Sequence, residues 1–112
     1  MCTQAQLPSI VREMTDIYDA VYGDTIRAIY LYGSYARGDA SDQSDIDLAA
    51  VVVGDRKDLQ ERLKVVWDRA AELGLDYDVV VSPTVIPYDE FESYRSTLPY
   101  YRNIVTEGKL VG

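Results

Sequence analysis

Nine consecutive residues, Asp45 to Val53 (DIDLAAVVV), constrain the fold of this chain more than any others. On a strand, alternate residues share a face. Asp45, Asp47, Ala49, Val51 and Val53 then lie on one side, and Ile46, Leu48, Ala50 and Val52 on the other. The second set is apolar throughout, and the first turns apolar at Ala49. A strand of this kind reads as buried on both faces, and so needs a sheet with helices packed against it.

The spacing of apolar residues supplies those helices. Leu7, Ile10, Val11, Met14, Ile17, Tyr18 and Val21 recur at three- and four-residue steps and predict an amphipathic helix over 8–22, with Pro8 in its first turn and Gly23 just past its end. A strand follows over 25–32, then a short polar helix near 34–38 and a turn-rich loop over 39–44. Leu59, Leu63, Val66, Trp67, Ala70 and Leu73 predict a long helix over 58–73, with Asp58 and Glu61 at capping-box spacing and Gly74 as the stop. A third strand is expected over 75–82, ending at Pro83. Short helices are expected over 89–96, where Asp89 and Glu92 have capping-box spacing, and over 99–107, ended by Gly108. The order α-β-α-β-α-β-α-α describes an α/β (α+β) chain, a small mixed β-sheet packed with helices. No linker or repeat divides residues 1–112, which read as one domain.

Composition removes several classes of function. The 112 residues are 47% hydrophobic, enough for a real core. Eleven basic against nineteen acidic side chains leave a net charge of −8, so strong non-specific nucleic-acid binding is not expected. The chain has no histidine and one cysteine, Cys2, which excludes histidine acid–base catalysis, an internal disulfide and most zinc chemistry. Cys2 itself reads as an inert thiol near a mobile end. The first nine residues show neither a basic cluster nor an apolar run, and the longest apolar run, Leu48 to Val53, is too short to span a bilayer. The expected setting is the cytoplasm, with no membrane partner.

Chemistry concentrates in one stretch, Gly33-Ser34-Tyr35-Ala36-Arg37-Gly38 followed after a short loop by Ser44-Asp45-Ile46-Asp47-Leu48. Gly33 and Ser34 stand where a strand ends and a helix begins. Backbone N–H groups there, a close approach at glycine and the Ser34 hydroxyl can seat a phosphate, although an ordinary capped turn would look the same. Asp45 and Asp47 point the same way from one strand and should resist joint ionisation. A divalent cation with oxygen ligands, Mg²⁺ or Mn²⁺, would relieve them; a charged strand edge is the plainer alternative. A third acid would complete a two-metal site. Asp78, next to the apolar run Val79–Val81, is the better candidate, and Asp76 on the same face is its rival. Arg37 suits a nucleotide phosphate or an ion pair with Asp39 or Asp42. Ten of the twelve aromatic residues are tyrosine, and Tyr30, Tyr32 and Tyr35 flank the motif, where one of them could stack on a base.

Gly33-Ser34 through Gly38, followed by Ser44-Asp45-Ile46-Asp47-Leu48, resembles the signature of the minimal nucleotidyltransferases, members of the DNA polymerase beta-like nucleotidyltransferase superfamily. The resemblance runs from the first helix to Glu107-Gly108 and implies the nucleotidyltransferase fold. It further implies that Gly33 and Ser34, with Arg37 and Ser44, contact the ATP phosphates. Asp45, Asp47 and Asp78 would hold two Mg²⁺ ions and carry catalysis, Asp78 also helping to deprotonate the acceptor. Small stand-alone members are often antitoxins that move AMP from ATP onto a tyrosine of a HEPN-domain ribonuclease toxin and silence it. The charge of −8 suits a protein acceptor better than a polynucleotide. Alternatives are transfer to a small-molecule or RNA hydroxyl, an antitoxin that neutralises by contact alone, and a structural domain with an accidental motif. A third acid that fails to reach the cleft would favour neutralisation by contact. The Tyr100, Tyr101, Ile104 and Val105 surface of the last helix is the expected partner-facing patch.

Overall fold

The computed structural model describes residues 5–38, 40 and 45–112. Helix α1 (Leu7–Tyr22) passes through a 3₁₀ turn (Gly23–Thr25) into strand β1 (Ile26–Tyr32). A single helical turn, α2 (Ser34–Arg37), precedes β2 (Ile46–Val52), and α3 (Arg56–Tyr77) leads to β3 (Val81–Pro87). Two helices, α4 (Tyr88–Tyr94) and α5 (Pro99–Glu107), and a two-residue strand, β4 (Lys109–Leu110), end the chain.

The sheet order is β3-β2-β1-β4. β1 runs antiparallel to β2 and to β4, whereas β3 runs parallel to β2. Parallel neighbours cannot be joined by a tight turn, and α3 is the crossover that joins them. The expected mixed sheet is thus present, with β4 added at an edge. Beyond β4 the pairing continues, because Val111 N donates to Ile29 O (2.8 Å) and Ile29 N donates to Gly112 O (2.9 Å).

Both faces of β2 are covered, as its composition demanded. On one face α1 and α3 bring Ile10, Met14, Tyr18, Leu59, Leu63 and Val66 against Ile46, Leu48, Ala50 and Val52. On the other, α4 and α5 bring Phe91, Tyr101 and Ile104 against Ala49, Val51 and Ile86. Full burial of an aliphatic or Phe side chain contributes roughly 1.5–3 kcal/mol, so both layers matter. Polar ends of buried rings are satisfied: Tyr18 Oη donates to Thr84 O (2.9 Å) and Tyr22 Oη to Leu59 O (2.8 Å). The first bond ties α1 to the edge strand β3.

The structure corrects the sequence reading most where α3 meets β3. Gly74 does not stop the helix, which continues through Tyr77 and closes at Asp78, a left-handed residue with φ 55° and ψ 51°. Gly74 is instead where the returning chain crosses: its carbonyl accepts from Val79 N (2.9 Å), and a Cβ there would meet Val79 O at 2.4 Å. Consequently Leu75, Asp76 and Tyr77 are helical, and β3 begins later and runs through Pro83. An edge strand tolerates proline because one side of its backbone needs no partner. At the other end of α3 the cap is Asp55, whose carboxylate accepts from Lys57 N (3.2 Å), and Asp58 lies inside the first turn. Trp67, one of the apolar residues whose spacing predicts this helix, is 46% exposed. Helix α4 lacks a side-chain cap, so the Asp89–Glu92 spacing does not form a box.

Candidate functional site

Strand register lines up one side chain from each of three strands. Tyr32 on β1 is opposite Asp47 on β2, and Asp47 is opposite Ser82 on β3. All three share the face of Ala49 and Val51, which α4 and α5 cover further along the strands. Asp45 lies just before β2 and is exposed, whereas Asp47 is half-buried. Ile46 N donates to Val80 O (2.9 Å), which holds the start of β2 against the chain entering β3. Ser82 Oγ stands 3.5 Å from Asp45 Oδ2, a long contact.

The turn at Gly33 belongs to the same unit. Gly33 has φ 75° and ψ −156°, a conformation almost reserved for glycine. A Cβ built on it would lie 2.4 Å from Asp47 Oδ2. The absent side chain is therefore what admits the Asp47 carboxylate to the turn. Ala36 N and Arg37 N both donate to Gly33 O at 3.1 Å, which closes α2 over Ser34.

Charge at the site behaves as two crowded acids should. Burial first, and then the Asp45 charge, push the Asp47 carboxyl above its ordinary value, while Arg37 opposes both. A divalent cation between such acids would replace repulsion by attraction, so this pair fits an oxygen-liganded Mg²⁺ or Mn²⁺. Arg37 also forms an ion pair with Glu107 at the end of α5, Nη1 to Oε2 at 3.5 Å, with both side chains substantially exposed. Glu107 was not among the partners expected for Arg37, because nothing in the local spacing links α2 to α5. Asp39, Asp42 and Ser44 lie outside the described residues.

The tyrosines divide by position. Tyr35 is buried in the α1–α3 layer and cannot stack on a ligand. Tyr30 packs on Phe91, ring centroids 5.9 Å apart. Tyr32 alone of the three stands beside Asp47, and its Oη is 3.2 Å from Tyr100 Oη of α5. Burial, the Tyr100 hydroxyl and the Asp47 charge all keep the Tyr32 phenol protonated well above its usual range.

The expected third acid is not on the third strand. Asp76 is on α3 and Asp78 is its exposed cap, since the helix continues where a strand was expected. Asp78 does line a groove of about 600 Å³ together with Asp45, Trp67, Leu75 and Val80. Even so, among the described residues no three Asp, Glu or Cys side chains gather as a metal cluster. Strand β3 (VSPTVIP) carries no carboxylate at all, and Ser82 takes the place across from Asp47. Ser82 falls at the end of the strand expected over 75–82, but a lone hydroxyl carries no metal-site signal, and the register that places it depends on β3 running on past Pro83. The continuing β-branched residues Thr84, Val85 and Ile86 were the signal available.

Comparison with known proteins bears on the family and the fold. The polymerase beta nucleotidyltransferase family model matches residues 16–111. A Methanocaldococcus jannaschii protein, provisionally named a protein adenylyltransferase, is 31% identical over 101 residues, spanning 90% of this chain and 93% of the relative. A second protein of that organism with the same provisional name is 31% identical over 108 residues, 96% of this chain and 73% of its own length. Among solved structures, one chain of a toxin–antitoxin crystal structure with AMP-PNP superposes with a TM-score of 0.58 at 22% identity, covering 89% of this chain and 70% of that one. One chain of a tri-AMPylated Shewanella oneidensis HEPN toxin in complex with MNT antitoxin gives 0.51 at 21% identity, over 92% and 69%. At such identities these structures speak for the fold.

Proposed function

The chain belongs to the polymerase beta nucleotidyltransferase family, and on that premise we propose that it moves AMP from ATP, with Mg²⁺, onto a tyrosine of a HEPN-domain ribonuclease toxin and so acts as its cytoplasmic antitoxin. The observation that carries this reading is the contact of the Gly33 turn with Asp47. It makes the phosphate turn and the paired carboxylates one preorganised unit. The names of the relatives and the toxin–antitoxin setting of the fold neighbours support the acceptor.

In this reading Gly33 and Ser34 seat the ATP phosphates, with Ser44 assigned to them by the motif alone. Arg37 adds positive charge at the rim. Its pairing with Glu107 is exposed, and such pairs contribute at most about 1 kcal/mol, so a phosphate can take Glu107's place. Asp45 and Asp47 would hold Mg²⁺, which when bound supplies positive charge to the phosphate oxygens. The phenolic oxygen of the acceptor attacks the α-phosphorus, the bond to the bridging oxygen of the β-phosphate breaks, and pyrophosphate leaves. The phenol's proton passes to solvent. A phenol ionises near pH ~10, far more readily than a sugar hydroxyl. It therefore suits a site where no described carboxylate faces Asp47 from β3.

That same gap favours a second reading, in which the chain neutralises its partner by contact without transfer. Incubation of the protein with Mg²⁺ and α-labelled ATP in lysate from its source, followed by the purified labelled band, separates the two. Label on one HEPN protein, with loss of its ribonuclease activity, is expected. The Asp45→Asn, Asp47→Asn double variant should lose at least ~100-fold in labelling. Neutralisation that persists in the unlabelled double variant would replace transfer by contact. Label confined to RNA or small molecules would replace the protein acceptor.

A further inference from the structure

We infer that Ser82 is the third member of the cation site, where its hydroxyl offers a neutral oxygen beside Asp45 and Asp47 and leaves the site with two negative charges. This rests on the nucleotidyltransferase reading above and concerns how its cation is held. Three observations lead to it. The β2–β3 register puts Ser82 directly across from Asp47 on the same face. Its Oγ is 3.5 Å from Asp45 Oδ2, near enough to share a cation and too far for a strong bond of its own. The next residue on that face, Thr84, is opposite Ala49, where α4 and α5 close the sheet, so no other β3 side chain on that face is level with Asp47.

Charge count sets affinity in oxygen-liganded sites. Two carboxylates and a hydroxyl hold a divalent cation less tightly than three carboxylates would. The free protein should therefore bind such a cation weakly and take it up mainly together with the nucleotide, whose phosphates bring the missing negative charge. Ser82 thereby becomes the residue that makes cation binding depend on substrate.

The test is Mn²⁺ titration of the full chain without nucleotide, followed by isothermal calorimetry or Mn²⁺ electron paramagnetic resonance. Ser82→Asp should tighten Mn²⁺ binding roughly tenfold. Ser82→Ala should weaken it several-fold, and Ser82→Asn, which keeps an oxygen and adds no charge, should stay near the native affinity. Unchanged affinity in both the Asp and Ala variants, each shown folded by circular dichroism, would overturn the assignment. If crowding of three acids prevents Ser82→Asp from folding, the Ala variant decides alone. Asp45→Asn with Asp47→Asn should abolish binding. Native binding in that double variant would instead sink the cation reading of the whole site, an outcome distinct from failure at Ser82.

Discussion

Gly33→Ala adds one methyl group where the turn after β1 meets the Asp-x-Asp strand. Its cost has two parts. The backbone at φ 75° and ψ −156° is strained for any residue with a Cβ, by about 1–3 kcal/mol. The new carbon would also stand 2.4 Å from Asp47 Oδ2, so the carboxylate must retreat by about 1 Å to reach ordinary contact. A displacement of that size in a reacting constellation can cost on the order of 100-fold in rate. Urea unfolding and the labelling assay measure the two effects. A double-mutant cycle with Asp47→Ala separates them. With the carboxyl gone, the nearest remaining atom is the Asp47 Cβ at 3.6 Å, an unstrained distance. Gly33→Ala should then lose only the backbone part. Stability within about 0.5 kcal/mol of native would refute the strain, and an equal loss in both backgrounds would refute the contact.

Because burial and Asp45 raise the Asp47 carboxyl, the folded chain binds that proton more tightly than the unfolded chain. Its stabilisation is complete below the unfolded value and is lost as pH rises through the folded one. Asp47→Asn should therefore melt higher than the native protein at neutral pH and lose that advantage in acid; a native protein that gains on the variant as pH rises would reverse the sign. Gly74→Ala, which in an ordinary helix stabilises by up to about 1 kcal/mol, should here destabilise by roughly 1–3 kcal/mol, because the methyl meets the backbone Val79 O at 2.4 Å. A thermal melt at or above the native midpoint would contradict the tight crossing. In a spectrophotometric titration, Tyr18 and Tyr32 should stay protonated past the usual range and Tyr22 should ionise at about 12, burial being the first cause in each. Ionisation of all ten tyrosines by about pH 11 in still-folded protein would show that their hydroxyls are not buried as described.

Local pattern alone determined a good deal of this protein. The three- and four-residue spacing of Ile10, Met14, Ile17 and Tyr18 makes α1, and all four are buried. The alternation after Asp45 makes β2 and puts Asp47 on the face of Ala49 and Val51. Such features depend on backbone periods of 3.6 and 2 residues, which a sequence displays directly. The tertiary structure decided what neighbours meant. Leu75-Asp76-Tyr77 alternates like a strand yet continues α3, because a strand there would forfeit the left-handed cap at Asp78 and the crossing at Gly74 that carry the chain back alongside β2. Once that crossover is made, the parallel pairing of β2 with β3 sets the register, and the register brings Ser82 rather than an acid to Asp47. Gly33 against Asp47 and Arg37 against Glu107 are likewise meetings of distant segments. Pairing energy is gained between strands and not along them, so which residue faces Asp47 is written in no stretch of the chain taken by itself.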